Sequence, residues 1–259
     1  MSEVTVEDTG RTRIVTLNRP EARNALTRGV IQGLTTAFVE AAANAEIRCV
    51  VLTGAGGHFC SGADLRRNLM EDPDMMDKLD VVMDSYHALI RSVVRCPKPT
   101  VAMLEGAAVG FGADLALACD LRVASTTAYV QEKFVKIGLM PDGGGTFWLP
   151  RLVGTARAMQ MILLAQKLEA AELLSLGLVV KVVAPAEIRA AAMDVARELE
   201  NGPPLAYAAI KSALYANWGD LEGALRRERE GQLRLLKTND VIEGIMAWSQ
   251  KRDPQFKGS

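Results

Sequence analysis

Polar and apolar positions alternate from Glu3 to Asp8, and β-branched residues dominate Thr12 to Leu17, on either side of Thr9-Gly10. This period-two pattern around a turn pair predicts a β-hairpin that ends at Asn18 to Pro20. The period then changes. Thr27 is a good N-cap for a helix over Arg28 to Ala43, and the apolar centre of Arg48 to Thr53 reads as a buried strand before the loop GAGGHFCSGAD. A long charged amphipathic helix is expected from about Asp74 to Arg95. Strand-like Thr100 to Leu104 leads into a glycine-rich segment, a helix over Gly112 to Ala118 and a further strand over Asp120 to Ala124. Beyond Pro141 the pattern is mostly helical, apart from a short strand at Val179 to Val183. Pro203-Pro204 is the best boundary, with amphipathic stretches after it at Ala206 to Asn217 and Leu221 to Leu236. The recurring order of strand, glycine loop, helix and strand predicts an α/β fold with crossover connections.

Composition narrows the function classes more than it suggests one. The 259 residues can bury a large core as one domain with a small appendage. A net charge of −1 provides no basic footprint, so nucleic acid is not expected as a partner. Cys49, Cys60, Cys96 and Cys119 lie far apart with no CxxC pair, which argues against a zinc site and predicts reduced, buried thiols. The first twenty residues lack a signal-type apolar run and no later stretch reaches membrane-span length, so the reading is a cytoplasmic protein without a membrane anchor. With only His58 and His87, a histidine-based triad has little to draw on.

Candidate chemistry concentrates in two glycine-punctuated segments, GAAVGFGADLALACD and VKIGLMPDGGGT, each setting an aspartate, Asp114 or Asp142, beside exposed backbone amides. Glycines admit a ligand close to the main chain, amides at a helix start face negative charge, and a carboxylate can carry protons. A dinucleotide reading of Gly106-x-x-x-Gly110-x-Gly112, with Tyr207-x-x-x-Lys211 as a catalytic pair, fails on context. That loop should follow the first strand of its domain, and here about a hundred structured residues precede it.

Three segments taken together, HFCSGADL (58–65), GAAVGFGADLALACD (106–120) and KIGLMPDGGGTFWLPRLVG (136–154), resemble the crotonase (enoyl-CoA hydratase/isomerase) superfamily. The resemblance runs from RPEARNAL at Arg19 to Leu26 through EGIMAWSQKRDPQFKG near the end, and is closest in motif to the phenylacetate-pathway ring-epoxide/enoyl-CoA isomerase branch. It implies a spiral of ββα repeats over residues 1–202 and a helical C-terminal region, 203–259, that packs subunits into trimers or hexamers. It also implies an acyl-CoA thioester as substrate, with coenzyme A as part of that substrate and no separate cofactor or metal.

By the same resemblance, the backbone N–H groups of Ala63 and Phe111 would hold the thioester oxygen as it becomes an enolate. Phe111 stands where the family usually has glycine. Arg23, Ala25, Leu65 and Lys257 match coenzyme A contacts, and Tyr129, Phe134 and Trp148 are candidates for an acyl pocket. Lys211 is a further candidate for a phosphate contact. Hydratases of this family use two glutamates. Asp114 occupies the first position and Phe134 the second, while Asp142 matches the working aspartate of dienoyl-CoA isomerases and of the chlorobenzoyl-CoA dehalogenase. Glu132, close to the missing position, reads as a solvated side chain. One base suffices to shift a double bond, so an isomerase with Asp142 and Asp114 as its catalytic carboxylates is preferred. The alternatives are a hydratase using Asp114 as its main carboxylate and a thioester-binding pseudoenzyme.

Overall fold

The computed structural model describes residues 2–67, 78–217 and 221–255. The hairpin comprises β1 (Val4–Thr9) and β2 (Thr12–Leu17), turning at Gly10 with φ +60°. Helix α1 (Arg28–Ala43) follows, and Thr27 caps it by accepting a 3.2 Å bond from the Val30 N–H. Strand β3 (Cys49–Gly54), helix α2 (Leu79–Val94) and strand β4 (Thr100–Leu104) come next. The helix expected from Asp74 is observed from Leu79; residues 74–77 lie outside the described residues. After β5 (Ala107–Val109), α3 (Phe111–Ala118), β6 (Leu121–Ser125) and β7 (Tyr129–Gln131), the chain forms α4 (Gly145–Val153) and α5 (Thr155–Leu163). It continues through β8 (Lys167–Glu169), α6 (Ala170–Ser175), β9 (Lys181–Val183) and α7 (Ile188–Glu200). Helices α8 (Pro204–Asn217), α9 (Leu221–Leu235) and α10 (Asn239–Gln250) complete it.

The main sheet has the order β1-β2-β3-β4-β6-β9, and every pairing beyond the hairpin is parallel. Both faces are covered, which is why its central strands read as apolar runs rather than alternating ones. Val15, Leu17, Val50, Leu52, Ala102 and Leu104 belong to the large core shared with α1, α2 and α3. Their neighbours Ile14, Cys49, Val51, Val101, Met103 and Val123 form a second core under Ile188, Ala191, Ala192 and Ala196 of α7.

A small sheet of β5, β7 and β8 has no counterpart in the strand pattern, because three residues are too few to show a period. It matters for function. Isolated bridges join Cys60 to Ala108 of β5 and Leu26 to Ala63, drawing the loop after β3 against both the start of α1 and the approach to α3. Among the described residues no helix is long and apolar enough to cross a membrane, and no group of three or more His, Cys, Asp or Glu side chains is placed to hold a metal ion.

Candidate active site

Two loops meet where the glycine-rich segments converge. The Cys60 N–H donates to Ala107 O at 2.8 Å and the Val109 N–H to Cys60 O at 2.9 Å, fixing the 58–65 loop on β5. Gly62 sits at the tightest point with φ +92°, and a Cβ there would lie 2.8 Å from Val109 O and 3.6 Å from the Phe111 nitrogen. Only glycine combines this backbone conformation with this approach. The contact sets Ala63 beside the first residue of α3, and neither the Ala63 nor the Phe111 N–H has a hydrogen-bond partner among the described residues. Two unpaired donors beside a helix N-terminus suit a developing negative charge.

The Phe111 ring is buried and packs edge-on against Tyr86 with centroids 4.5 Å apart. A Cβ on Gly143 would lie 2.9 Å from this ring, so Phe111 stands between α3 and the glycine turn before α4. There it walls a cavity of about 890 Å³. Arg23, Ala25, Ala63 and Leu65 line this cavity, together with Val82, Met83, Tyr86, Tyr129, Phe134, Leu139 and Leu236. Lys133, Lys136 and Lys251 also line it. Arg23 and Asn24 hold left-handed backbone at φ 49° and 59°, braced by the Asn24 side chain, which accepts from Arg19 N and donates to Ala55 O and His58 O. The combination is a largely apolar chamber with basic side chains along part of its wall.

Asp114, Glu132, Asp142 and Glu228 form a buried set of carboxyls around the sequence PDGGGT. Two of them brace that turn directly. Asp114 Oδ2 accepts from the Gly143 N–H at 2.9 Å, and Glu228 accepts from Gly144 N at 2.8 Å, from Thr146 N at 3.1 Å and from the Thr146 hydroxyl. Gln232 donates to Asp142 Oδ2 at 2.8 Å, while His87 Nε2 lies 3.1 Å from the Asp142 carbonyl oxygen. Of the four carboxyls, Asp142 is the one that lines the cavity. Burial pushes its pKa up to about 7, against the opposing pull of the Gln232 hydrogen bond. Burial similarly raises Glu228 to about 7 and Asp114 well above the ordinary carboxylate range.

Glu132 corrects the expectation of a solvated side chain: it is 1% exposed. Its carboxyl meets that of Asp114, and neither Asp114 Oδ1 nor either Glu132 oxygen receives an N–H or O–H bond from the rest of the protein. Two bare carboxylates would repel there, so the contact requires a shared proton. Burial raises Glu132 to about 8 from its ordinary 4.5. The folded chain therefore holds an extra proton between these values, and this contribution to stability is fully present below about pH 4.5. It is lost as pH rises towards 8, at up to about 1.4 kcal/mol per pH unit. Glu132→Gln is expected to flatten the decline of the urea midpoint between pH 5 and 8; an unchanged slope would show that another group titrates.

The other sequence candidates divide cleanly. Arg23, Ala25, Ala63, Leu65, Phe111, Tyr129, Phe134 and Asp142 converge on the cavity, whereas Asp114 is sealed behind Phe111 and Gly143. Trp148 does not wall an acyl pocket. Its indole is buried behind the glycine turn, donating to Gly143 O at 3.2 Å and packing on Phe147 and Tyr215. Lys211 is not available to a phosphate, because it is buried in an ion pair 2.5 Å from Asp120 and bonds Lys98 O at 2.8 Å. Lys257 lies outside the described residues. Glu228 and Gln232 were not singled out, although a signal existed. They fall four residues apart on the stripe of α9 that contains Ala224 and Leu225, and polar groups on an apolar stripe need buried partners.

Residues 10–259 match the family model described as enoyl-CoA hydratase/isomerase. A probable enoyl-CoA hydratase of Rhodobacter capsulatus is 40% identical, covering 95% of this chain and 94% of its own length. The 1,2-epoxyphenylacetyl-CoA isomerase of Escherichia coli is 35% identical, covering 94% of each. A crystal structure of an enoyl-CoA hydratase from Mycobacterium avium subsp. paratuberculosis superposes with a TM-score of 0.89 at 39% identity, covering 98% of both chains. The chain belongs to the enoyl-CoA hydratase/isomerase family and has the crotonase fold.

Proposed function

We propose that this member of the enoyl-CoA hydratase/isomerase family is an isomerase that shifts a double bond in an acyl-CoA thioester. The observation that carries the reading is the position of Asp142, the one carboxyl of the buried four that reaches the cavity, in a lining where Phe134 is apolar. Asp142 removes a proton α or γ to the thioester carbonyl, and the electrons move onto the carbonyl oxygen. The Ala63 and Phe111 N–H groups receive that oxyanion, each pre-aimed donor lowering the barrier by about 3 to 4 kcal/mol. Asp142 then returns the proton at the other carbon. One carboxyl performs both steps, because the proton it takes is the proton it gives back.

Addition of water asks for more. A second acid or base must hold and split the water, and Asp114 and Glu132 face each other behind the cavity wall rather than into it. In this reading Arg23 and the main chain at Ala25 and Leu65 hold coenzyme A, with Lys257 as a phosphate contact. The apolar walls at Tyr129 and Phe134 face the acyl group. Exposed Leu205, Ile210, Leu214, Ile242, Met246 and Trp248 on α8 and α10 support association into trimers or hexamers.

The test is a panel of unsaturated acyl-CoAs incubated in deuterated water and followed by mass. Incorporation of deuterium at the α or γ carbon with migration of the double bond is expected, and hydration of crotonyl-CoA should be at least about 100-fold slower, the factor one missing acid/base group supplies. Crotonyl-CoA hydrated faster than any double bond migrates would overturn the isomerase reading in favour of a hydratase. Thioester binding with neither exchange nor turnover would assign a binding role instead.

A further inference from the structure

We infer that Gln232 is the positioning residue of Asp142, clamping its Oδ2 so that the carboxylate keeps one orientation at the cavity wall. The inference rests on the role proposed for Asp142 and deepens it. Gln232 is 2% exposed on α9, and both ends of its amide are engaged. Its Oε1 accepts the Met140 N–H at 3.3 Å and its Nε2 donates to Asp142 Oδ2 at 2.8 Å. The two bonds fix the amide's orientation. A flipped amide would set its NH₂ against the Met140 N–H and its oxygen against the carboxylate, losing both.

The clamp is asymmetric. Asp142 Oδ1 is buried with no hydrogen-bond partner in the protein, although the residue lines the cavity. Buried polar atoms are nearly always paired, so the Gln232 bond to Oδ2 is what holds this carboxyl in place from the side-chain side. The main chain of Asp142 is held separately. His87 of α2 lies 3.1 Å from the Asp142 carbonyl oxygen, and burial lowers the His87 pKa, leaving a neutral ring whose Nε2–H donates. Thus α2 holds the main chain of Asp142, and α9 holds its side chain by Oδ2.

The Gln232 bond also favours the charged form of Asp142 in surroundings that oppose it. The titratable groups around Asp142 are His87 from α2, Asp114 from α3, Glu132 from the segment after β7 and Glu228 from α9. None is a positive charge. With three carboxyls and a neutral imidazole as neighbours, the amide N–H of Gln232 is the side-chain donor that supports the carboxylate.

The experiment uses two variants of nearly unchanged volume, Gln232→Met and Gln232→Glu, in the full chain, with folding checked by thermal unfolding. Asp142 is titrated by carboxyl infrared difference spectroscopy, its band assigned with Asp142→Asn. Gln232→Met is expected to titrate Asp142 about one pH unit higher than the parent chain, the size of shift one lost charge-supporting hydrogen bond produces, and Gln232→Glu, which sets a second carboxyl against it, should raise it further. For an acyl-CoA that exchanges, kcat at neutral pH should fall about 10- to 100-fold with KM within about twofold, since the bond serves proton transfer rather than binding. An Asp142 band that titrates at the parental pH in Gln232→Met would overturn the inference. So would a loss of kcat with no movement of the titration, which marks support of the fold alone. A parent chain with the expected titration and shift but no exchange on any substrate would overturn the isomerase reading while leaving the Gln232 clamp standing.

Discussion

Asp142→Asn is expected to lower kcat for double-bond migration by about 10³-fold, within the range for a lone general base, while leaving thioester affinity within a few-fold. The asparagine keeps the volume and the Gln232 contact but cannot accept a proton. Calorimetry with a saturated acyl-CoA alongside deuterium exchange separates the two effects. The pH dependence follows from the same carboxyl. Burial holds Asp142 protonated up to about 7, and the protonated form is not a base. Exchange should therefore rise as pH increases through about 7 and level off above it, and Asp142→Asn should abolish this limb. Should Asp114→Asn alone abolish migration and Asp142→Asn spare it, the working base would be the carboxyl behind Phe111, and access to it would require that wall to move.

Gly62→Ala is expected to lower kcat by about 100- to 1,000-fold with little change in the fold, because it disturbs one of two aimed donors. The added Cβ would meet Val109 O at 2.8 Å, in a backbone conformation at φ +92° that alanine adopts only under strain. Relief requires the 58–65 loop to draw back from β5, carrying the Ala63 N–H away from the Phe111 N–H. Gly154→Ala provides the comparison. It also replaces a glycine at positive φ, +78°, but its Cβ would meet nothing within 4 Å and it lies outside the cavity lining. If both variants lose stability equally and neither loses more activity than the other, the donors at Ala63 and Phe111 do not carry the reaction.

The legible part of this protein was local. Thr27 announces α1 because a hydroxyl at a helix start pairs an otherwise orphaned N–H, and it does so here at Val30. The hairpin turn, the buried strands and the glycine-rich approach to α3 were readable for the same reason, that each depends on neighbours within a few residues. The resemblance of three ordered motifs points to Asp142, Ala63 and Phe111, and all three line the cavity. The placement of Trp148 and Glu132 is not legible in the sequence, because residue type alone does not state which side of a turn a side chain occupies. An indole can wall a ligand or brace a loop, and a glutamate near a surface-like sequence can be 1% exposed once α3 and the glycine turn close over it.

The sequence by itself determined the α/β class, the main secondary elements, the family and the residues from which a site could be built. Only the tertiary structure decided which of those residues share a cavity. Asp114 and Asp142 lie in equally glycine-rich segments, yet the Phe111 ring and Gly143 shut one away while the other reaches the chamber. Gln232, ninety residues downstream of Asp142, joins the site only when α9 packs beneath the turn. Burial, orientation and charge sharing are relations between distant segments. They exist only once the chain has closed on itself, so periodicity and motif could name the carboxyls but could not rank them.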